Sequence, residues 1–376
     1  MIYFDYGATT PIDDEVLNSY IKTQKQFFAN TSSMHKLGQI TKQVLEQATK
    51  ETLDVLGLSN HHLVYTSNAT EANNLAIYGI AHRYLLSEGL KWRLITTKME
   101  HPSVYEVFKA LEQEGYDVIY LDVSAEGTID LEQFRQALNK QTVLVSIMWV
   151  NNIVGSIQPI KEVLNLLEQY PKATFHMDAV QGLCKVQADF DFNKVDLFTM
   201  STHKIYGPKG VGFLAYRSPI RLTKRLYGSQ AQDGIKPGTL DLALAVATCK
   251  ALKIYYPKTK EHYQQVQALN NYLRSGLANL PMIHINSPKT AVPYILSIAL
   301  PSVNAETLLH ALEALDIYVS AGSACHSKER KPERTVMAMT NSLELATSTI
   351  RISLSHLSTK NEIDQLLLAL KDICHV

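Results

Sequence analysis

The stretch Val143-Leu144-Val145-Ser146-Ile147-Met148-Trp149-Val150 is apolar at every position except Ser146 and runs straight into Asn151-Asn152. A strand with one wet face would alternate, so an unbroken run of this kind reads as a strand buried on both faces. Shorter runs of the same character recur on either side, at 63–67, 94–96, 118–121, 174–177, 197–200 and 211–216. Helical periodicity falls between several of them, at 70–87, 131–138 and 161–169. Strand and helix in alternation predict an α/β fold with a mostly parallel central sheet covered on both faces.

Beyond residue 255 the rhythm changes. A long polar helix at 260–280 precedes a strand at 294–299, a helix at 305–315 and strands at 317–320 and 351–354. The last helix opens on a capping box, Thr359-x-x-Glu362, and carries Ile363, Leu366, Leu367, Leu370 and Ile373 along one side. The expected division is an N-terminal segment, 1–15, packing with the small domain, a large domain at 16–255 and a smaller α+β C-terminal domain at 256–376. A single fold with a long C-terminal extension is the alternative.

Composition excludes several classes of function. The 376 residues are 46% hydrophobic, enough for a large core, and 36 basic residues balance 36 acidic ones. No bulk field favours nucleic acid or anionic lipid. The longest apolar run falls far short of the roughly 20 residues of a membrane helix. The N-terminus has no basic leader followed by an apolar stretch, so a cytoplasmic location is expected. Four widely spaced cysteines, Cys184, Cys249, Cys325 and Cys374, give neither a disulfide framework nor zinc-ligand spacing, and no metal is expected.

Six segments at strand ends or turns can supply one ligand site, where open α/β sheets present their ligands. Lys204, in Ser201-Thr202-His203-Lys204-Ile205-Tyr206-Gly207, can form a Schiff base with an aldehyde if its surroundings lower its pKa; the plainer reading is a basic surface turn. Asp178 ends a buried strand and suits the ring nitrogen of pyridoxal phosphate, with Gln181 three residues on; it equally suits a turn or helix cap. The amides of Ala69 and Thr70 open a helix and can hold phosphate. His101, before Pro102, can stack on a ring or carry a proton, and Asn151-Asn152 places two amide side chains beside it. Cys325 lies among small residues with Lys328, Arg330 and Lys331 following, a setting that favours its thiolate, whereas the other cysteines read as core.

Taken together, these stretches resemble the cysteine desulfurases, pyridoxal-phosphate enzymes of the class V aminotransferase group with the type I fold. The resemblance spans the chain, from Phe4-Asp5-Tyr6-Gly7-Ala8-Thr9-Thr10-Pro11 through Ala69-Thr70-Glu71-x-Asn73-Asn74 and Ser146-Ile147-Met148-Trp149-Val150-Asn151-Asn152. It continues through His203-Lys204-Ile205-Tyr206-Gly207-Pro208-Lys209-Gly210 to Gly322-Ser323-Ala324-Cys325. It implies Lys204 as the Schiff-base lysine, Asp178 at the pyridine nitrogen, His101 over the ring, Gln181 near its hydroxyl and Asn152 beside ring and substrate. Phosphate contacts would come from Ala69, Thr70, Ser201 and His203, and from Thr239 toward a second subunit, so that a homodimer is implied. Arg351 would hold the substrate carboxylate, Asn30 would lie on the substrate side, and Cys325 would take sulfur from L-cysteine as a persulfide, releasing alanine. A sulfur-acceptor protein follows, an iron–sulfur scaffold or a tRNA-thiolation enzyme, with no direct contact to nucleic acid. The segment after Cys325 resembles the extended-loop class.

Departures accompany the likeness. Trp149 and Ile153 replace the His and Glu usual around the paired asparagines, Tyr227 to Gly234 replaces a glycine-rich stretch, and Lys236 replaces an arginine. Another enzyme on this scaffold, an aminotransferase or a selenocysteine lyase, and a weakly active scaffold needing a partner are the competing expectations.

Overall fold

The protein is described by a computed structural model covering residues 1–85, 90–301, 303–322 and 332–374. Cys325 therefore lies outside the described residues, as do the basic residues that follow it. Within them the strands in chain order are β1 (Ile2–Tyr3), β2 (His61–Thr66), β3 (Arg93–Thr97), β4 (Asp117–Leu121), β5 (Thr142–Ser146), β6 (Thr174–Asp178) and β7 (Leu197–Ser201). They continue with β8 (Gly212–Arg217), β9 (His284–Ile285), β10 (Ile295–Ala299), β11 (Ile317–Tyr318), β12 (Ser320–Ala321) and β13 (Thr349–Ser353).

Seven strands form the large sheet in the order β2-β8-β7-β6-β5-β3-β4. Pairings β7–β6, β6–β5, β5–β3 and β3–β4 are parallel, while β8 runs antiparallel to both β2 and β7. The sheet is mostly parallel, as expected, with one reversed strand inserted between two parallel neighbours. Apolar runs carry no sign of strand direction, and β8 is as apolar as the rest. Its side chains feed both faces: Phe213 and Ala215 join the core on one side, Leu214 and Tyr216 that on the other. The second core is closed by helices Ala69–Ala81 and Pro102–Glu114, the first by Ile160–Leu167 and Leu242–Tyr255.

Several boundaries differ from the sequence expectation. The run 143–150 is strand only to Ser146; Ile147 and Trp149 still donate to the carbonyls of His176 and Asp178, but Val150 pairs back on Ile157 and closes a loop. The helix expected to 87 stops at Ala81, whose carbonyl accepts from the Tyr84 amide in a turn, and the Tyr116 hydroxyl donates to the carbonyls of Ala81 and Tyr84 at 2.9 and 3.1 Å. The capping box at Thr359 and Glu362 is present on both sides.

The smaller sheet has the order β12-β13-β10-β9, and β1 pairs with β11 in parallel. The chain after β1 crosses to the small sheet through a bridge between Asp5 and Ser353, then passes to the large sheet, where Thr10 and Asp13 donate to the carbonyls of His203 and Tyr206. One N-terminal strap thus touches both sheets, and the candidate site lies beneath it.

Candidate active site

The C-terminal ends of β6 and β7 and the loop after β5 open into a cleft of 550 Å³. Its lining includes Ala69, Thr70, His101, Asn152, Asp178, Gln181, Ser201, His203, Lys204 and Arg351. Ten residues singled out from the sequence, scattered over nearly three hundred positions, are thus brought together. Asn30 and Thr239 are not in the lining; they meet each other at 3.4 Å. Asn151 also departs from expectation: its buried amide oxygen accepts from Ile153 and Val154, and its nitrogen donates to the Met99 carbonyl, so it shapes the loop and only Asn152 faces the cleft.

Lys204 follows β7 on a tight turn, Thr202–Lys204, and its Nζ donates to the carbonyls of Gly7 and Ala8 at 2.8 and 2.6 Å. Burial, reinforced by the Arg351 guanidinium, lowers its pKa to about 8. Near neutral pH a tenth or so of such amines is unprotonated, far more than for an exposed lysine, and this is the form that attacks a carbonyl. His203 beside it is pushed down to about 4 by burial and the Lys204 charge, so its imidazole is neutral.

Asp178 ends β6 with 6% exposure. One oxygen accepts from the Val180 amide at 3.0 Å and the other from Asn73 Nδ2 at 3.0 Å. Asn73 is fully buried on helix Ala69–Ala81 and donates also to Ser103 Oγ at 2.8 Å. With its oxygen thus engaged, the Ser103 hydroxyl hydrogen points to His101 Nδ1, 2.8 Å away, which also accepts from the Ser103 amide. His101 Nδ1 is therefore an acceptor, and the neutral imidazole carries its proton on Nε2. Burial keeps it neutral by lowering its pKa. Asn73 and Ser103 were not singled out from the sequence, although a polar residue on the apolar face of a helix is the signal that marks Asn73.

The opposite wall is supplied by the small sheet. Arg351, on β13 and 6% exposed, donates through Nη2 to Asp5 Oδ1 and through Nη1 to the Asn152 carbonyl, each at 2.9 Å. Its buried Nε has no partner among the described residues. A side chain at Gly7 would stand 3.2 Å from this guanidinium, so the strap passes over it only as glycine. Arg334 also lines the cleft, with its guanidinium 3.6 Å over the Tyr105 ring and a hydrogen bond to the Glu100 carbonyl.

The residues fit a phosphorylated pyridine aldehyde. Helix Ala69–Ala81 points its N-terminus at the cleft; Asn68 caps the Glu71 amide, whereas the amides of Ala69 and Thr70 have no acceptor among the described residues. Ser201 Oγ, buried in the same lining, has no partner either. Gly212 lets this helix start come close, because a Cβ there would sit 2.5 Å from the Met200 carbonyl and 2.9 Å from the Asn68 backbone. A phosphate site, an amine and a buried carboxylate are the three contacts such a ligand needs.

The departures from the family pattern fall mostly outside this lining. Trp149 packs edge-on against Phe190 and Phe192 at 5.1 and 5.5 Å, against a Gly182 too close to bear a side chain. Lys236 pairs with Glu71 at 2.7 Å. Gln232 reaches the free edge of β2, accepting from the Tyr65 amide and donating to its carbonyl. Only Ile153 lines the cleft. The cysteines at 184, 249 and 374 are buried and free, as read from their neighbours.

Comparison with known proteins agrees with this geometry. Residues 2–366 match the model of the family "Aminotransferase class-V". A "NifS/IcsS protein homolog" of Lactobacillus delbrueckii is 39% identical, covering 99% of this chain and 97% of that one. The "Cysteine desulfurase IscS" of Aeromonas salmonicida is 36% identical over 99% of this chain and 92% of its own. Among solved structures, a NifS-like protein superposes with a TM-score of 0.91 at 32% identity, covering all of this chain and 99% of that one. A protein described as SspA in complex with cysteine superposes at 0.81 with 30% identity over 96% and 100% of the two chains. The chain belongs to the class V aminotransferase family, within its cysteine desulfurases, and has their type I α/β fold.

Proposed function

We propose that the cleft converts L-cysteine to L-alanine with pyridoxal 5'-phosphate as cofactor, and that the sulfur leaves as a persulfide on Cys325. The enzyme is a pyridoxal-phosphate-dependent cysteine desulfurase by family; the residue roles and the fate of the sulfur are our reading. What carries it is the meeting in one cleft of an amine of lowered pKa, Lys204, a buried carboxylate, Asp178, and a guanidinium, Arg351.

The bound cofactor supplies an electron sink for a bond broken at the substrate α-carbon. Lys204 would hold the cofactor through its aldehyde, and its amine, of lowered pKa, would be the base for the substrate α-proton. Asp178, held by Asn73 and the Val180 amide, keeps the ring nitrogen protonated. The amides of Ala69 and Thr70 with Ser201, His203 and, from a second subunit, Thr239 hold the phosphate. Arg351 exchanges part of its bonding to Asp5 for the substrate carboxylate, for which a planar guanidinium is suited. His101 offers its Nε2 proton, and Asn152 stands beside ring and substrate. Asn30, which bonds Thr239, belongs with it at a dimer boundary in this reading.

The chain would then work as a cytoplasmic homodimer, divided at about residue 255 into its larger and smaller domains, and pass its sulfur to an acceptor protein for iron–sulfur assembly or tRNA thiolation. No helix among the described residues is long and apolar enough to cross a membrane.

The test is alanine formation from L-cysteine by the purified, cofactor-loaded protein with a thiol reductant, beside Cys325→Ser. Alanine from the wild type and none from the variant is expected. Equal alanine from both overturns the persulfide role of Cys325, and none from either overturns the activity of the isolated chain.

A further inference from the structure

Behind Lys204, on the side of the small cavity that it shares with Cys184, Tyr206, Tyr255 and His356, lies a second lysine, Lys185. It is 8% exposed, its neighbour in sequence is the buried thiol of Cys184, and the mechanism above gives it no part. Buried ammonium groups are costly and seldom retained without a partner. Here the partner is a single side chain: Lys185 Nζ donates to Gln181 Oε1 at 2.6 Å.

Gln181 reaches in two directions. Its Nε2 donates to the Gly7 carbonyl at 2.9 Å, the same carbonyl that accepts from Lys204 Nζ. A carbonyl can only accept and a lysine ammonium can only donate, so both contacts fix the same orientation of the amide, the Gly7 contact in either state of the lysine. The oxygen is turned to Lys185, and the nitrogen of this cleft-lining residue keeps a second N–H that has no acceptor among the described residues. Without Lys185 the oxygen would be a buried acceptor with no donor, a penalty that offsets the remaining contact of Nε2 with the Gly7 carbonyl and loosens the orientation of the amide.

We propose that Lys185 is a positioning residue whose amine locks the Gln181 amide so that the cleft meets an N–H donor and never a carbonyl oxygen. The role rests on the reading above, in which Gln181 lies near the ring hydroxyl of the cofactor. A donor there stabilises the oxygen as its anion and weakens its hold on the proton of the adjoining lysine-linked nitrogen. Burial, with the Lys204 and Arg351 charges added, lowers the Lys185 pKa to about 7. The lock survives that titration, because the neutral amine donates as the ammonium does.

The experiment is a pH titration of the visible absorption of the Lys204-bound cofactor in the loaded protein. Lys185→Met, which matches the lysine in length and cannot donate, is expected to raise the midpoint by about 0.5–1 pH unit, the size of one lost hydrogen bond. Gln181→Leu should give the same rise, and Lys185→Met should add nothing to it in the double variant. Lys185→Gln, which keeps an N–H without the charge, should titrate like the wild type, and it decides the matter should the Met variant not fold. A wild-type midpoint in Lys185→Met, a shifted one in Lys185→Gln, or additive shifts in the double variant overturn the lock, the last by showing a direct effect of charge. Failure of the wild-type protein to form the absorption band overturns the cofactor reading itself, and the lock with it.

Discussion

On the wall of the cleft built by the large sheet, the carboxylate and the imidazole are braced by near neighbours in space that belong to the same sheet and its helices: Asn73 holds Asp178 and, through Ser103, His101. On the wall built by the small sheet, Arg351 is braced instead by Asp5, 346 positions away, and by the Asn152 carbonyl from the other side of the cleft. The first wall is rigid as a consequence of its own packing. The second takes its geometry from the strap that crosses it, so a ligand that competes for Arg351 also competes with that strap. A site built this way keeps its cofactor contacts fixed and leaves the substrate contact adjustable.

The largest effect expected from this contrast is on the braced wall. Lys204→Ala removes the amine while leaving the surrounding hydrogen bonds of Asp178 and His101 in place, so the protein should fold and alanine formation should fall by about 10³-fold or more. Absence of the cofactor's visible band at unchanged melting temperature completes the expected result. A residual rate within tenfold of the wild type would mean that the amine is not the reacting group.

On the adjustable wall the effects should be smaller and confined to substrate binding. Arg351→Ala loses a charge-assisted contact and should raise KM for L-cysteine about 10- to 100-fold with the cofactor absorption unchanged. Asp5→Asn leaves the guanidinium in place without its fixed counter-charge, and should shift KM by about three- to tenfold. In the double variant the Asp5 change should add little to KM, since its hydrogen-bonded route to the substrate carboxylate is through Arg351. Additive losses would break the contrast, because they would show that the strap acts on the site elsewhere.

The same contrast governs what was legible in the sequence. The strands β5, β6 and β7 and the loops after them are local signals, an apolar run ending in a polar cluster, and they point to Asp178 and Lys204, whereas Ser201 and His203 enter only through the family resemblance. The reversed direction of β8 left no local mark. Helices Asp14–Gln26 and Lys36–Val55 were not announced by periodicity, because apart from Val16 their buried positions are Thr23, Gly38, Thr41, Ala48 and Thr52 rather than large apolar residues. Asp5 and Asn73 were not legible as site residues, since each works through a partner remote in sequence, Arg351 and Asp178; Ser103 and Lys185 lie only two and four residues from His101 and Gln181, but it is the fold that turns their polar atoms to those partners. Asn151 misled for the opposite reason: it stands next to Asn152, but the amide spent on closing the loop is not the one presented to the ligand.

Glu100 joins the two walls and gives the finest test of how they are coupled. It precedes His101 on the first wall, and its carbonyl accepts from Arg334 on the second. The side chain is 1% exposed; Oε1 accepts from Thr97 Oγ1 and the Met148 amide at 2.9 and 3.0 Å, and Oε2 has no partner among the described residues. Burial, with the charge of Asp178 added, pushes its pKa up to about 8. In the unfolded chain the group titrates near about 4.3. Between these values the native state holds one more proton than the unfolded state, so stability falls as pH rises through the window from about 4.3 to 8. Glu100→Gln keeps the acceptor for Thr97 and Met148 and cannot ionise, so its stability should lack this decline. The melting-temperature difference, variant minus wild type, should therefore grow from pH 5 to pH 8 by on the order of a few degrees. A difference that stays constant across that range would mean that Glu100 is ionised in the folded protein at pH 5 already. The Arg334 guanidinium would then be its counter-charge through space as well as its backbone neighbour, and the two walls would be tied by an ion pair in addition to the contacts of Arg334 and Arg351 with the Glu100 and Asn152 carbonyls.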